Sequence, residues 1–293
     1  MAADRRHDAL VLYYSHTGNT RRLAELCAGA LEERGWKTQS LSLRGKEPVG
    51  ELDTPELLVL GAPIHFWKPP KTAVERIRAL PRFVGASAFV FGTFGGVFEN
   101  DAVAVLAREA QALGARVLGG ASVVAPHNFM TTGRERLGDL YPEFGRGQPD
   151  PPALNAFLAA LGSVASVIES GRAASFDLSR LASPKRALAV ADSFVPLSLK
   201  KAFLPPPRSN AGLCTLCGAC REACDTNSIR IQDKAVRTDT GTCLRCYQCV
   251  RVCPTGGRTT DWVKIERLLR GVKRFMAPPV TRAAAAGMEE QEG

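Results

Sequence analysis

The chain has 293 residues, of which 45% are hydrophobic and 23% charged, a composition typical of a globular protein with room for two domains. Its charged start precedes only a brief apolar run, and its longest uncharged helical stretch, residues 153–168, is short and rich in small residues, so we expect neither a signal peptide nor a membrane span. The net charge is +9, and residues 172–293, with 20 basic and 11 acidic residues, account for all of it.

The first predicted strand, residues 8–14, leads into a polar loop at residues 15–20, with the sequence SHTGNT. A helical pattern follows and ends at Gly35. Hydroxyl groups, an amide, a glycine and free backbone N–H groups at a helix start are suited to binding a phosphate dianion. A polar turn capped by Thr17 or Asn19 is the alternative. Because six consecutive positions fit, we favour the phosphate site.

Strands and helices alternate through the rest of the first half. Further strands are predicted over residues 38–43, 56–61, 87–92 and 116–124, and helices over residues 72–80, 101–113 and 153–170. This alternation is typical of a doubly wound α/β fold with a parallel sheet. With the loop at residues 15–20, this alternation resembles the flavodoxins, and the resemblance implies the strand order 2-1-3-4-5, with a ligand bound beyond the carboxyl ends of strands 1 and 3.

Two more loops are predicted to meet the phosphate loop at that edge of the sheet. The loop over residues 61–70 contains Phe66 and Trp67, and the loop over residues 92–98 mixes glycines with Phe94 and Phe98. Flat apolar side chains and close backbone approach suit a flavin ring, and ordinary loop packing is the alternative for each aromatic residue. His65 and His127 lie on ligand-facing loops, where we expect a surface or packing role.

The loop at residues 15–20 is similar to the phosphate loop of flavodoxins, S/T-x-T-G-x-T. The resemblance implies FMN as the cofactor, with the phosphate held by the side chains and backbone of this loop. It also places the second loop near flavin N5 and the third at the ring edge. The cofactor-binding residues implied are Ser15, His16 through its backbone N–H, Thr17, Gly18, Asn19, Thr20, Pro63, Ile64, His65, Phe66, Trp67, Thr93, Phe94, Gly95 and Gly96.

Eight of the nine cysteines fall into two runs of identical spacing, C-x2-C-x2-C-x3-C. They are Cys214, Cys217, Cys220 and Cys224, then Cys243, Cys246, Cys249 and Cys253. This spacing is typical of a pair of cubane iron-sulfur clusters. Structural zinc commonly takes two C-x2-C pairs and needs no third cysteine in each run. Disulfides are disfavoured because nothing indicates secretion. The ninth cysteine, Cys27, lies among leucines of a predicted helix and is expected in the core.

Residues 210–258 resemble the bacterial two-cluster ferredoxins. The resemblance implies that the last cysteine of each run binds the cluster of the other run. One cluster then takes Cys214, Cys217, Cys220 and Cys253, and the other takes Cys243, Cys246, Cys249 and Cys224. Pro254 follows the fourth cysteine as that family expects, but Asp225 stands where the first run should have proline. A carboxylate there favours the oxidised cluster and separates the two potentials.

Three segments frame these motifs. Residues 126–152 form a long excursion on the flavin side, where it could cover the flavin or receive the second domain. Residues 172–209 form a connector that is partly helical and made stiff by Pro205, Pro206 and Pro207. A basic amphipathic helix is predicted over residues 261–276, followed by a disordered tail. We expect its apolar face to pack against the connector or the flavodoxin-like domain, with a membrane surface as the alternative.

Together the halves resemble the fused flavodoxin-ferredoxin proteins of anaerobic bacteria and archaea. The resemblance implies an electron-transfer protein that passes electrons between FMN, two [4Fe-4S] clusters and an external redox partner. The basic excess predicts a partner with an acidic surface or an anionic membrane, rather than nucleic acid. The clusters and reduced thiols favour the cytoplasm. A reductase of a quinone or nitro compound and a flavin-free docking module remain alternatives, and no catalytic residue is identified.

Overall fold

The computed structural model describes residues 7–45, 49–96, 99–128, 145, 147–182, 194–273 and 281–288. Its strands are β1 (Asp8–Tyr13), β2 (Lys37–Ser42), β3 (Leu57–Pro63), β4 (Ser87–Phe94), β5 (Arg116–Val124), β6 (Arg208–Ser209), β7 (Ile229–Gln232), β8 (Ala235–Thr238), β9 (Arg258–Thr259) and β10 (Arg282–Ala285). Its helices are α1 (Asn19–Glu32), α2 (Lys71–Arg78), α3 (Ala102–Ala112), α4 (Pro151–Glu169), α5 (Leu197–Ala202), α6 (Ala219–Glu222), α7 (Gln248–Arg251) and α8 (Trp262–Lys273).

The large domain contains a six-stranded sheet in the order β10-β5-β4-β3-β1-β2. Strands β1 to β5 pair in parallel, which confirms the predicted order 2-1-3-4-5. Strand β10 was not predicted. It pairs antiparallel with β5 and places Arg282 opposite Ser122. The C-terminal tail is therefore ordered over residues 281–288, where the sequence predicted disorder.

Apolar strands buried on both faces explain the sheet's central position. All seven residues of β3 and all eight of β4 are buried. Val59 points into a core layer with α1 and α4, whereas Leu58 and Leu60 point into a second layer with α2 and α3. Continuous apolar runs of this kind are expected for parallel strands covered by helices.

Helix α4 is the one described helix long and apolar enough to cross a membrane by length and composition alone. The sequence predicted a stretch that was too short to cross a membrane, residues 153–168. The helix in the structure is longer, because it starts at Pro151 with Asp150 as its cap. Phe157, Leu161 and Val164 are buried in the core layer shared with α1. Packing in this core layer therefore accounts for the apolar residues on the inner face of this helix.

The connector is tied to both domains. A 3₁₀ helix, Leu178–Leu181, lies against the large domain, where Leu181 is buried in the core layer beneath α3. The proline triplet instead contacts the small domain, because the Tyr247 hydroxyl donates to the Pro205 carbonyl oxygen at 2.8 Å. Each end of the connector thus belongs structurally to the domain it reaches.

The small domain consists of two short antiparallel pairs, β6 with β9 and β7 with β8, and helices α6 to α8. Helix α8 buries Trp262, Ile265 and Leu269. The Trp262 ring lies 6.4 Å from that of Tyr247, so the start of this apolar face packs against the small domain itself, a surface that the sequence did not predict.

Several sequence predictions concern residues beyond those described. These are most of the excursion, residues 129–144 and 146, together with Phe98, part of the connector at residues 183–193, and the end of the basic helix at residues 274–276.

Candidate functional site

The phosphate loop connects β1 to α1 at the carboxyl edge of the sheet. Gly18 has φ of 100°, a left-handed conformation that reverses the chain just before Asn19 begins the helix. Its backbone N–H donates to the Ser15 hydroxyl at 3.1 Å. The Thr20 and Thr93 hydroxyl groups lie 2.8 Å apart, which joins the loop to the end of β4. The loop therefore has a fixed shape at the start of a 14-residue helix.

A pocket opens between the three loops. Most of the predicted cofactor residues line it, namely His16, Thr17, Asn19, Thr20, Pro63, Ile64, His65, Thr93, Phe94 and Gly95. The segment after β5 completes it with Ala125, Pro126, His127 and Asn128. The sequence placed residues 126–152 on the flavin side, where they could cover the flavin, but named none of them as a cofactor-binding residue. The position of this fourth wall was nevertheless predictable, because β5 ends at the same edge of the sheet.

The pocket suits an anionic aromatic cofactor. Its described lining contains no carboxylate, and it begins at the amino end of α1, where the helix dipole favours a negative charge. A side chain at Gly95 is excluded because its Cβ would lie 2.1 Å from the His127 ring. The His16 imidazole nitrogens are buried without hydrogen-bond partners. These features fit FMN, whose phosphate is predicted to bind at residues 15–20.

Three of the four histidines gather at this pocket. The His16 and His65 rings stack with centroids 4.9 Å apart. Burial lowers the pKa of His65 well below its usual value, and His16 and His127 add to this effect. Burial likewise lowers the pKa of His127 to about 4. His65 and His127 are therefore neutral at pH 7 and line the pocket without adding charge.

The predicted stacking residues Phe66 and Trp67 lie elsewhere. Both have left-handed backbone angles, φ 49° and 66°, which turn the loop away from the pocket. Phe66 lines a separate cavity shared with the connector. Trp67 packs beneath the Lys200 ammonium group, which lies 5.0 Å from its ring centroid. Of the other predicted residues, Ser15 and Gly18 shape the phosphate loop, and Gly96 is a left-handed turn after β4.

The eight motif cysteines surround two cavities. Cys214, Cys217, Cys220 and Cys253 line one of them, and we call these four the outer set. Cys224, Cys243, Cys246 and Cys249 line the other, and we call these four the inner set. Each set takes three cysteines from one run and the last cysteine of the other run. This is the grouping that the ferredoxin resemblance implied.

Left-handed backbone lets each run coil around its cavity. The runs start at Cys214 and Cys243, so equivalent positions are 29 residues apart. Leu216 and Arg245 are one such pair, with φ 57° and 56°, and Gly218 and Tyr247 are another, with φ 84° and 56°. The same turn geometry therefore recurs in both runs despite different side chains.

The fourth cysteine of each run also accepts a backbone hydrogen bond. The N–H of Ser228 lies 3.3 Å from Cys224 Sγ, and that of Arg258 lies 3.2 Å from Cys253 Sγ. Burial opposes ionisation of Cys253, yet the N–H donor of Arg258 and neighbouring hydrogen bonds lower its pKa. Such donors stabilise a thiolate and, in a cluster, raise the reduction potential.

The cysteine geometry bears on the zinc alternative. Across the described part of the chain, no three His, Cys, Asp or Glu side chains converge closely enough to hold one metal ion. The cysteines instead enclose cavities, as polynuclear clusters require. All nine are free of disulfides, and Cys27 is buried in the large domain.

Asp225 joins the domains beside the inner set. Its carboxylate accepts hydrogen bonds from the Tyr14 hydroxyl at 2.6 Å and from Arg44 Nε at 3.0 and 3.1 Å. Arg44 also donates to the Ala223 carbonyl oxygen at 2.7 Å. Burial opposes the charge of Asp225, but the adjacent His16 ring and the hydrogen bonds from Arg44 and Tyr14 hold its pKa well below the usual value. A charged network thus fixes this contact.

Two further contacts bring the inner set to the pocket between the three loops, which we call the flavin pocket after its predicted ligand. Arg251 of α7 donates to the Thr17 carbonyl oxygen in the phosphate loop. The Asn128 amide donates to the Cys246 carbonyl oxygen at 3.4 Å. The second-run loop therefore lies directly against two walls of the pocket.

Fold and site together define a two-domain protein in which a flavodoxin-like domain contacts a small domain with two four-cysteine sites. Comparison with known families identifies both parts. The flavodoxin family profile matches residues 11–151, and the 4Fe-4S dicluster domain profile matches residues 213–257. The chain thus contains an N-terminal flavodoxin domain and a C-terminal 4Fe-4S dicluster domain. This combination implies iron-sulfur clusters and suggests an electron-transfer role.

Solved structures resemble the N-terminal fold. Rubredoxin oxygen:oxidoreductase from Desulfovibrio gigas is 12% identical over 57% of this chain and 38% of its own, with a TM-score of 0.41. Flavodoxin 1 from Bacillus cereus is 22% identical over 40% of this chain and 84% of its own, with a TM-score of 0.35. A flavodoxin from the domain Archaea is 22% identical over 45% and 93%, with a TM-score of 0.32. No curated protein matches the chain significantly.

Proposed function

We propose that this protein carries electrons between FMN and an external partner, in the order flavin, inner set, outer set, partner. FMN supplies two-electron chemistry when bound, and each [4Fe-4S] cluster supplies one-electron chemistry. Thr17, Asn19 and Thr20 hold the FMN phosphate. The inner and outer sets hold one cluster each. Placing all three groups in one chain replaces slow encounters by contact at high effective concentration.

One observation carries this order. The inner-set cavity meets the flavin pocket at the domain junction, where His16 lines both. The outer set lies farther out, since Cys217 is exposed and the neighbouring Leu213 is 51% exposed. Electrons that enter at the flavin therefore reach the inner set first and leave through the outer set.

Electron arrival at each cluster after photoreduction of the flavin tests the order. Freeze-quench EPR of the anaerobic, fully loaded chain follows both clusters. In Cys217→Ala, we expect electrons to reach the inner cluster but not an external acceptor. In Cys246→Ala, we expect the flavin to be isolated from the outer cluster as well. Arrival at the outer cluster at the wild-type rate in Cys246→Ala contradicts the order.

The partner is expected to have an acidic surface that docks at the outer set. The basic excess of residues 172–293 and the exposure of Leu213 beside Cys214 support this. A cytoplasmic location is proposed because the protein keeps nine free cysteines. The covered apolar face of α8 favours a protein partner over a membrane surface.

A second function has support from a separate cavity. It has a volume of about 340 Å³ and lies between the loop at residues 65–71 and the connector. Four lysines, Lys68, Lys71, Lys200 and Lys201, line it together with the apolar side chains Phe66, Val195, Pro196 and Leu244. This lining suits a small anionic substrate with an apolar ring, such as a carboxylated quinone.

Turnover of an anionic quinone by the reduced, loaded chain tests that function. We expect Lys68→Ala to raise its KM, while an uncharged quinone is unaffected. If wild type and Lys68→Ala turn over both quinones equally, or if neither protein turns over any quinone, this second function is refuted and only the electron-carrier function remains.

A further inference from the structure

His16 stands where the flavin pocket and the inner-set cavity adjoin. It is the single residue common to the described linings of both cavities. It is 4% exposed, so bulk water does not solvate its ring. The side chain of a phosphate-loop residue thus reaches the other domain, while its backbone remains in the loop.

The His16 ring lies between two aromatic rings and beside a carboxylate. It stacks on His65 at 4.9 Å between centroids and meets the Tyr14 ring edge-on at 5.1 Å. Neither ring nitrogen has a hydrogen-bond partner. Nε2 lies 3.2 Å from Asp225 Oδ2, a distance typical of an ion pair, but it is not directed along a hydrogen bond.

Buried polar groups are nearly always hydrogen-bonded, because leaving one unpaired costs free energy. Two unpaired nitrogens on one buried ring therefore indicate partners that belong to bound groups. The two cavities bordering the ring are the flavin pocket and the inner-set cavity.

We propose that the His16 imidazole bridges the two redox groups, with one nitrogen hydrogen-bonded to FMN and the other to a sulfur of the inner cluster. This inference rests on the proposed function. A neutral imidazole has one donor and one acceptor nitrogen. Cluster sulfur only accepts, so the nitrogen facing the inner set, on the side of Asp225, carries the proton. The other nitrogen accepts a hydrogen bond from the flavin ring.

Hydrogen bonds to cluster sulfur raise the reduction potential. His16 therefore acts as a positioning residue that sets the inner-cluster potential and the flavin environment together. The outer set lies beyond its reach, because His16 is not among the residues that line the outer-set cavity. The outer cluster can therefore serve as an internal reference when the potential of the inner cluster is measured.

Pulsed EPR of the reduced inner cluster, in the loaded chain with ¹⁵N-labelled histidine, tests the bridge directly. Of the chain's four histidines, all within the described ranges, His16 alone lines the inner-set cavity. We expect a ¹⁵N coupling on the inner cluster that disappears in His16→Gln and His16→Leu. The inner-cluster potential should fall in His16→Leu and be partly restored in His16→Gln, whose amide can still donate. The outer-cluster potential should not change.

His127→Gln is the matched control, because His127 lines only the flavin pocket. It should alter flavin absorbance and leave the ¹⁵N coupling intact. Absence of the coupling in a chain that contains FMN and both clusters overturns the bridge but not the proposed function. A chain that takes up no flavin or no iron overturns the proposed function itself.

Discussion

Asp225 lies within a cluster-binding motif, yet its side chain has a structural role in the contact between the two domains. It stands where a two-cluster ferredoxin would have proline, and its carboxylate contacts Tyr14 and Arg44 of the other domain. The sequence indicated an effect on cluster potential, which stays a prediction. The docking contact was not predictable, since Arg44 and Asp225 are 181 positions apart.

The crossed cysteine assignment makes a direct prediction. Cys253→Ala should remove the cluster whose other ligands are Cys214, Cys217 and Cys220, because Cys253 lines their cavity. Iron should fall from about eight to about four atoms per chain, with the EPR signal of the inner cluster retained. Cys27→Ala, a buried cysteine of the other domain, is the control and should keep all the iron. Selective loss of the inner cluster would refute the assignment.

Alanine substitutions at two glycines, one before helix α1 and one within it, distinguish the effect of loop geometry on FMN binding from the effect of helix propensity on stability. Gly18 has φ of 100°, so Gly18→Ala should cost ~1–2 kcal/mol of strain and weaken FMN binding. Gly29 lies within α1, where an added Cβ meets nothing within 4 Å. Gly29→Ala should instead stabilise the protein by ~0.5–1 kcal/mol. Flavin titration and thermal unfolding distinguish the two, and equal FMN affinity in both variants would contradict the role of Gly18.

At the scale of elements, helix α4 is joined to the turn before β2 by a charged cluster. Glu169 accepts hydrogen bonds from Arg34 at 2.6 and 3.1 Å and from Trp36 at 2.7 Å. The hydrogen bond from Arg34 is the main reason that the pKa of Glu169 lies below its usual value of 4.5, although burial opposes it.

This cluster predicts a pH-dependent stability. A carboxylate with a lowered folded-state pKa stabilises the protein above its unfolded pKa, and the contribution is lost as pH falls through the folded value. Glu169→Gln should therefore lower the free energy of unfolding by about 1 kcal/mol at pH 7. The difference from wild type should shrink below about pH 4.5. Denaturant unfolding at pH 7 and below about pH 4.5 measures this difference in the free energy of unfolding, with the exposed Glu33→Gln as control. A difference that does not change with pH would argue against the role of Glu169.

Sheet order was predictable, whereas strand β10 was not. Apolar runs such as β3 and β4 specify buried parallel strands from their own sequence. Strand β10 has the sequence RAAA, which has little strand propensity. It is held by pairing with β5 and by hydrogen bonds from Arg282 to the Arg180 and Ala182 carbonyl oxygens. Those contacts are tertiary and leave no local signal.

In the loops around the flavin pocket, too, some residue positions were predictable from the sequence and others were not. Thr20 and Thr93 were predictable because each follows a recognisable strand at the ligand edge. The directions of Phe66 and Trp67 were not, because both residues adopt a left-handed backbone that nothing in their identity favours.

For the whole molecule, function depends on how firmly the domains are docked. Arg44→Ala removes the hydrogen bonds to Asp225 and Ala223 and should weaken docking by ~1–2 kcal/mol, since the side chain is mostly buried. We expect a larger radius of gyration in solution and slower electron exchange between flavin and inner cluster. Iron and flavin contents should stay at wild-type levels.

Arg108→Ala, which removes an equal charge from the exposed face of α3, is the matched control for Arg44→Ala. It should change neither the radius of gyration nor the exchange rate. Wild-type exchange in Arg44→Ala would show that the Asp225 contact does not hold the domains together.

The most direct test is the cofactor content of the chain purified without oxygen. We predict about eight iron and eight sulfide per chain, in two [4Fe-4S] clusters, together with one FMN. Zinc in place of iron, or protein that binds no flavin after reconstitution, would contradict it.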